Sequence, residues 1–163
     1  MPRDVAPSPA APDHLVIREA TEADLGRLAE LMNLGRVAGR VPRETPGDIA
    51  PYVRALHDIY YGDGGVLVAQ LDGEVVAVCQ LVVFRHLQAR GGRCAEIESV
   101  HVHPDCRAQG IGTVLMEAAI GRARAVGCYR VQLTSNEVRH DAHRFYERLG
   151  FTPSHLGFKL SLE

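Results

Sequence analysis

Arg107-Ala108-Gln109-Gly110-Ile111-Gly112 joins an extended segment, closed by Pro104, to a long amphipathic run. Two glycines one residue apart, where a helix begins, leave backbone N–H groups of its first turn bare and approachable. Those groups, the positive end of the helix dipole and the nearby Arg107 suit an anion such as a phosphate. The same spacing also serves an ordinary tight turn. It is not a Walker loop, because no Lys-Ser/Thr follows Gly112, and Leu115 stands where GxGxxG needs its third glycine.

Glu96 and Glu98 lie at i, i+2 in "CAEIESVHVH". On a strand that spacing puts both on one face, and Val100 and Val102 are expected to continue the row. Neighbouring carboxylates raise each other's pKa, favour a cationic ligand and can act as a general base. A surface pair binding only water has the same pattern. Tyr146, in "HRFYERLGF", falls with Phe145 on the apolar face of a helix. It is either a core tyrosine or a positioned acid, since a buried hydroxyl requires a partner. Arg139, Arg144 and Arg148 could meet a phosphate or form a solvated face. His101 and His103 also share a strand face but lack a third ligand, so no metal site is expected.

The elements that must hold these residues follow from periodicity. "LVIR" from Leu15 is a strand, and Thr21 with Asp24 three residues on starts a helix carrying Leu25, Leu28, Ala29 and Met32. Gly35 and Gly39 end it. Thr45 and Asp48 open a second helix with Ile49, Tyr52, Val53 and Leu56 inward, closed by "YYGDGG". Two β-branched runs around Asp72-Gly73 form a hairpin. "CAEIESVHVH" is a strand, 110–125 a helix capped by Gly127, "YRVQLTS" a strand, "DAHRFYERLG" a helix and "GFKLSL" a closing strand. The order β-α-α-β-β-β-α-β-α-β makes the three central strands antiparallel and the later β-α-β step a parallel crossover. The predicted class is α/β (α+β), a mixed, mostly antiparallel, twisted sheet with helices on both faces.

Composition narrows the class. A chain of 163 residues with 46% apolar residues suits one domain with a real core. The net charge of −2 argues against nucleic acid as main partner. No apolar run is long enough to span a bilayer, so no membrane partner is expected. Residues 1–13 are rich in Pro and Ala and are expected to be a disordered tail ahead of a single domain over 14–163. Cys79, Cys94, Cys106 and Cys128 show no CxxC spacing and read as reduced packing thiols of a cytoplasmic protein.

Two quoted stretches resemble motifs of the GCN5-related N-acetyltransferase (GNAT) superfamily. Arg107-x-x-Gly110-x-Gly112 resembles its R/Q-x-x-G-x-G/A motif, with Ala108 where glycine is common. Asn136 with "AHRFYERLGF" resembles its later motif. The resemblance covers about residues 14–162 and implies a GNAT fold of six to seven strands whose central parallel strands splay apart. It implies acetyl-CoA as co-substrate, its pyrophosphate held by backbone N–H groups of Gln109, Gly110, Ile111, Gly112 and Thr113 beside Arg107 and Ala108. Val100, His101 and Val102 would pair through their backbone with the pantetheine arm, and Asn136 would bond it from the other side. Glu98 or Glu96 would be the base, with the choice open, and Tyr146 the acid meeting the CoA sulfur.

The activity implied is transfer of an acetyl group to a primary amine of a small molecule or peptide, by direct attack. A non-catalytic acyl-CoA-binding regulatory module is the alternative, and it would have no need of Tyr146 or the glutamates. Family members of this size often form homodimers, which nothing in the residues fixes. The acceptor depends on residues 32–62 and on "RHLQARGGR", which carry no readable motif.

Overall fold

The computed structural model describes residues 10–36, 43–45 and 47–162. Residues 1–9 of the expected tail, and Gly39, lie outside that range. The elements are β1 (Leu15–Glu19), α1 (Leu25–Leu34), α2 (Ala50–Tyr60), β2 (Gly65–Leu71), β3 (Glu74–Arg85), α3 (Gln88–Gly91), β4 (Arg93–Val102), α4 (Ile111–Ala125), β5 (Cys128–Leu133) and α5 (His140–Arg148). α3 is a single turn in which Ala89 and Arg90 take left-handed dihedrals.

The five strands lie in sequence order. β1 to β4 pair antiparallel, and β4–α4–β5 is the parallel crossover. Asp72 and Gly73 turn the β2–β3 hairpin with φ of 50° and 87°. Both positive values match a turn whose twist suits the strands. Helices cover both faces. Leu25, Leu28 and Leu31 of α1 and Leu56 of α2 pack with Val66, Val68 and Val78 on one face. On the other, α4 lays its i, i+4 stripe Ile111, Leu115, Ala119 and Ala123 against Ala77, Leu81 and Ile97, and Tyr146 of α5 joins them.

Asp24 pins the chain between β1 and α1. Its carboxylate accepts from the Thr21 N–H at 2.7 Å and from both terminal nitrogens of Arg18 at 2.8 Å. Those bonds, Arg18 foremost, hold the Asp24 carboxyl down at about 2.

Two expectations are corrected. Among the described residues the sheet has five strands, not six to seven, because "GFKLSL" forms no strand. Leu156, Phe158, Leu160 and Leu162 alternate as a strand would, yet all four are exposed and pair with no ladder. The second correction concerns β4. Gln80 pairs with Glu98 and Val78 with His101, so Cys79 alone opposes Ser99 and Val100. Ser99 takes φ of 52° in this bulge. The extra residue flips the later side chains. Glu96 and Glu98 face α1 and α2, whereas Val100 and Val102 pack on the α4 side. The four residues are not one row.

Candidate active site

β4 and β5 pair only as far as Ile97 and Leu133. β4 runs on to Val102, while β5 ends at Leu133, so beyond Ile97 the β5 side of β4 has no ladder partner. Gly110 caps α4, which follows β4, in the left-handed conformation, φ 76°, with no side-chain cap. The first rung of the helix ladder is Val114 N–H to Gly110 O, 3.1 Å. The amides ahead of it lie outside the i→i−4 ladder. Ala108 is left-handed as well, φ 59°. Arg107 is exposed and donates from Nε to Val102 O at 3.2 Å, which ties the turn to the end of β4. Gln109 donates to Asp105 O at 3.0 Å.

Gly112 has a different role from Gly110. A Cβ there would stand 3.3 Å from Cζ of Phe145 and 3.5 Å from Cγ2 of Val102. Its missing side chain lets α5 approach the first turn of α4, and that approach sets the position of Tyr146. Tyr146 is 7% exposed, against the rings of Phe145 and Phe151 at 5.3 and 6.1 Å. Burial pushes its phenol up, opposed by the charge of Arg139. The charge of Glu98 also raises the same phenol, so the hydroxyl and the carboxylate are within electrostatic reach.

Glu96 and Glu98 come together on the α1–α2 face. Glu96 accepts from Gln132 Nε2 of β5 at 3.2 Å. Glu98 is half-buried, and burial, then the neighbouring Glu96, raise its pKa, while the cation of Lys159 lowers it. His101, also on this face, is pushed down to about 4 by burial and then by Arg139 and Arg107. Its Nδ1 is buried without a partner, and a Cβ on Gly35 would fall on it. Asn136, past the end of β5, accepts the Val138 N–H at 3.2 Å on Oδ1. Ser135 beside it keeps a buried hydroxyl without a hydrogen-bond partner.

Several residues here were not singled out in the sequence. Glu44 is held by paired bonds with Asn33, 2.9 and 3.0 Å, and its carboxylate accepts from the Tyr52 hydroxyl at 2.6 Å. Gln80, opposite Glu98, carried a usable signal: it is the polar residue inside the apolar run "VVAVCQLVV". Glu44, Gln132 and Lys159 had none, because they join the site from separate elements.

The chain is similar to several known proteins. A family model for the acetyltransferase (GNAT) family matches residues 28–151. The chain is 38% identical over 95 residues to aminoalkylphosphonate N-acetyltransferase of Salmonella typhimurium, covering 58% of this chain and 61% of that protein. It is 35% identical over 98 residues to glucosamine 6-phosphate N-acetyltransferase of Trypanosoma brucei brucei, covering 60% and 64%. The matches thus span less than two thirds of the length of these curated relatives. Among solved structures it is similar to a transcriptional regulator from Bacillus halodurans C-125, with 40% identity, a TM-score of 0.81, and coverage of 91% of this chain and 100% of that one. Glucosamine-6-phosphate N-acetyltransferase from Arabidopsis thaliana shares the fold at 21% identity, with a TM-score of 0.74 over 91% and 99% of the two chains. The chain belongs to the acetyltransferase (GNAT) family.

Proposed function

We propose that this protein is an acetyl-CoA-dependent N-acetyltransferase acting on a primary amine of a small molecule or peptide, in a ternary complex and in the cytoplasm. The observation that carries the reading is that β4 runs on past its last pairing with β5, at Ile97 and Leu133, toward a helix start with a left-handed glycine and no side-chain cap.

The residues fit the co-substrate. The first-turn amides of α4, with Arg107 and the left-handed Gly110, suit a pyrophosphate. Val100 to Val102 have no ladder partner on the β5 side of β4, which leaves that edge to an amide-bearing arm, and the Ser135 hydroxyl beside Asn136 lacks a partner. Acetyl-CoA supplies an acetyl group on a thioester.

Glu98 takes a proton from the acceptor's ammonium, which frees the nitrogen lone pair to form the C–N bond. Its raised pKa makes it a stronger base than an ordinary carboxylate. Glu96, tied to Gln132, raises that pKa and adds negative charge opposite the ammonium. As the C–S bond breaks, Tyr146 donates its hydroxyl proton to the departing sulfur, where negative charge grows, and the second proton shed by the acylated nitrogen restores the phenol. Cys79 is buried and pushed up to about 12, so its thiol stays protonated and is unsuited to carry the acetyl group.

Thiol release from acetyl-CoA, followed over a panel of primary amines, tests the reading. The expected result is amine-dependent release that Glu98→Gln lowers by about 10²–10⁴-fold. Absence of release with every amine, at saturating acetyl-CoA, would refute it.

A further inference from the structure

We infer that the acceptor is an amine on a compact hydrocarbon body of about four carbons, with that body held between α1, α2 and the sheet. The inference rests on the acetyltransferase reading above and names its substrate class.

A cavity of about 100 Å³ opens between the two helices and the strands. Leu28 and Met32 of α1, and Tyr52 and Leu56 of α2, form apolar walls. Among the described residues its lining beyond the apolar side chains is Tyr52, with Gln80 and Ser99 at the sheet end. Gln80 is the direct cross-strand partner of Glu98, and Ser99 is the bulge residue next to it. The apolar space therefore ends at the two residues that flank Glu98, on the same face of the sheet.

Charge fits the same occupant. Glu98 and Glu96 stand at the sheet end, and Glu44 is fixed by Asn33 and Tyr52, the latter itself part of the wall. Among the described residues no lysine, arginine or histidine lines the cavity. A phosphate or carboxylate on the acceptor body would meet apolar walls and like charge there. A hydrocarbon body finds dispersion contacts and loses its water, and its ammonium lies toward Glu98. The volume sets the size, since a cavity of about 150 Å³ takes a benzene ring. The bulge at Ser99 makes the arrangement, because it keeps Glu98 on the cavity side and sends Val100 to the other.

The test is a series of linear primary amines, from ethylamine to octylamine, assayed by thiol release with acetyl-CoA, beside 2-aminoethylphosphonate and glucosamine 6-phosphate. Each buried methylene should raise kcat/KM about fourfold up to about four carbons, then level off. Ala55→Leu places a larger side chain into the cavity from α2 and should flatten the series, with acetyl-CoA binding by calorimetry as the folding control. A flat wild-type series, or preference for either phosphorylated amine, overturns the inference and leaves the transferase reading standing. Failure of the protein to bind acetyl-CoA or to release thiol with any amine overturns both.

Discussion

Glu98 and Val100 lie on opposite faces of the sheet although only one residue separates them. The bulge at Ser99 is the cause, and it divides labour along β4. The carboxylates serve the α1–α2 side, where the acceptor is proposed to sit. The valines line the α4 side, under the turn proposed to hold pyrophosphate.

The pH dependence of kcat/KM should report Glu98. The base works deprotonated, so activity rises with pH through a pKa above the ordinary carboxylate range, then levels. Glu96→Gln removes an influence that raises that pKa, and the limb should move to lower pH. Lys159→Ala removes one that lowers it, and the limb should move to higher pH. A limb that neither variant moves belongs to another group.

Tyr146→Phe keeps the ring among Phe145 and Phe151 and deletes one oxygen. The expected loss is about 10- to 10³-fold in kcat, at or below the usual general-acid range. Acetyl-CoA affinity should change much less, because the bond strengthens as charge develops on sulfur. A weakened KM for acetyl-CoA with kcat intact would make Tyr146 a wall of the thioester pocket.

Gly110 and Gly112 should separate in experiment. Gly110→Ala forces a side chain into φ 76°, at a cost of about 1–2 kcal/mol, and should weaken acetyl-CoA binding with α4 still formed by circular dichroism. Gly112→Val instead presses on Phe145 and should lower Tm by displacing α5. Equal Tm for Gly112→Val and wild type would contradict the packing role.

Much of this was legible in the sequence, for physical reasons. The i, i+4 stripe of α4 and the Asp72-Gly73 turn are local, and local patterns specify them. Glu96 and Glu98 share a face because no irregularity lies between them. Val100 was misplaced because the bulge depends on the register with β3, and serine carries no signal for left-handed φ. The closing strand was misread because alternation in Leu156, Phe158, Leu160 and Leu162 states a preference, while a strand also needs an edge to pair with. The cavity could not be read at all, since its walls come from five separate elements.

Stability should depend on Asp24. Its pKa falls from 3.8 unfolded to about 2 folded, so its contribution is full above 3.8 and lost as pH falls through about 2. Urea unfolding of Asp24→Asn at pH 7 should show a loss of about 2 kcal/mol. The difference from wild type should shrink between pH 4 and 2. A difference independent of pH would assign the effect to packing.

Direct transfer between two bound substrates is the central claim, and initial velocities over a grid of acetyl-CoA and amine concentrations test it most directly. Intersecting double-reciprocal lines, with no thiol released until amine is added, are predicted. Parallel lines, with a burst of thiol matching the enzyme concentration in the absence of amine, would contradict the account.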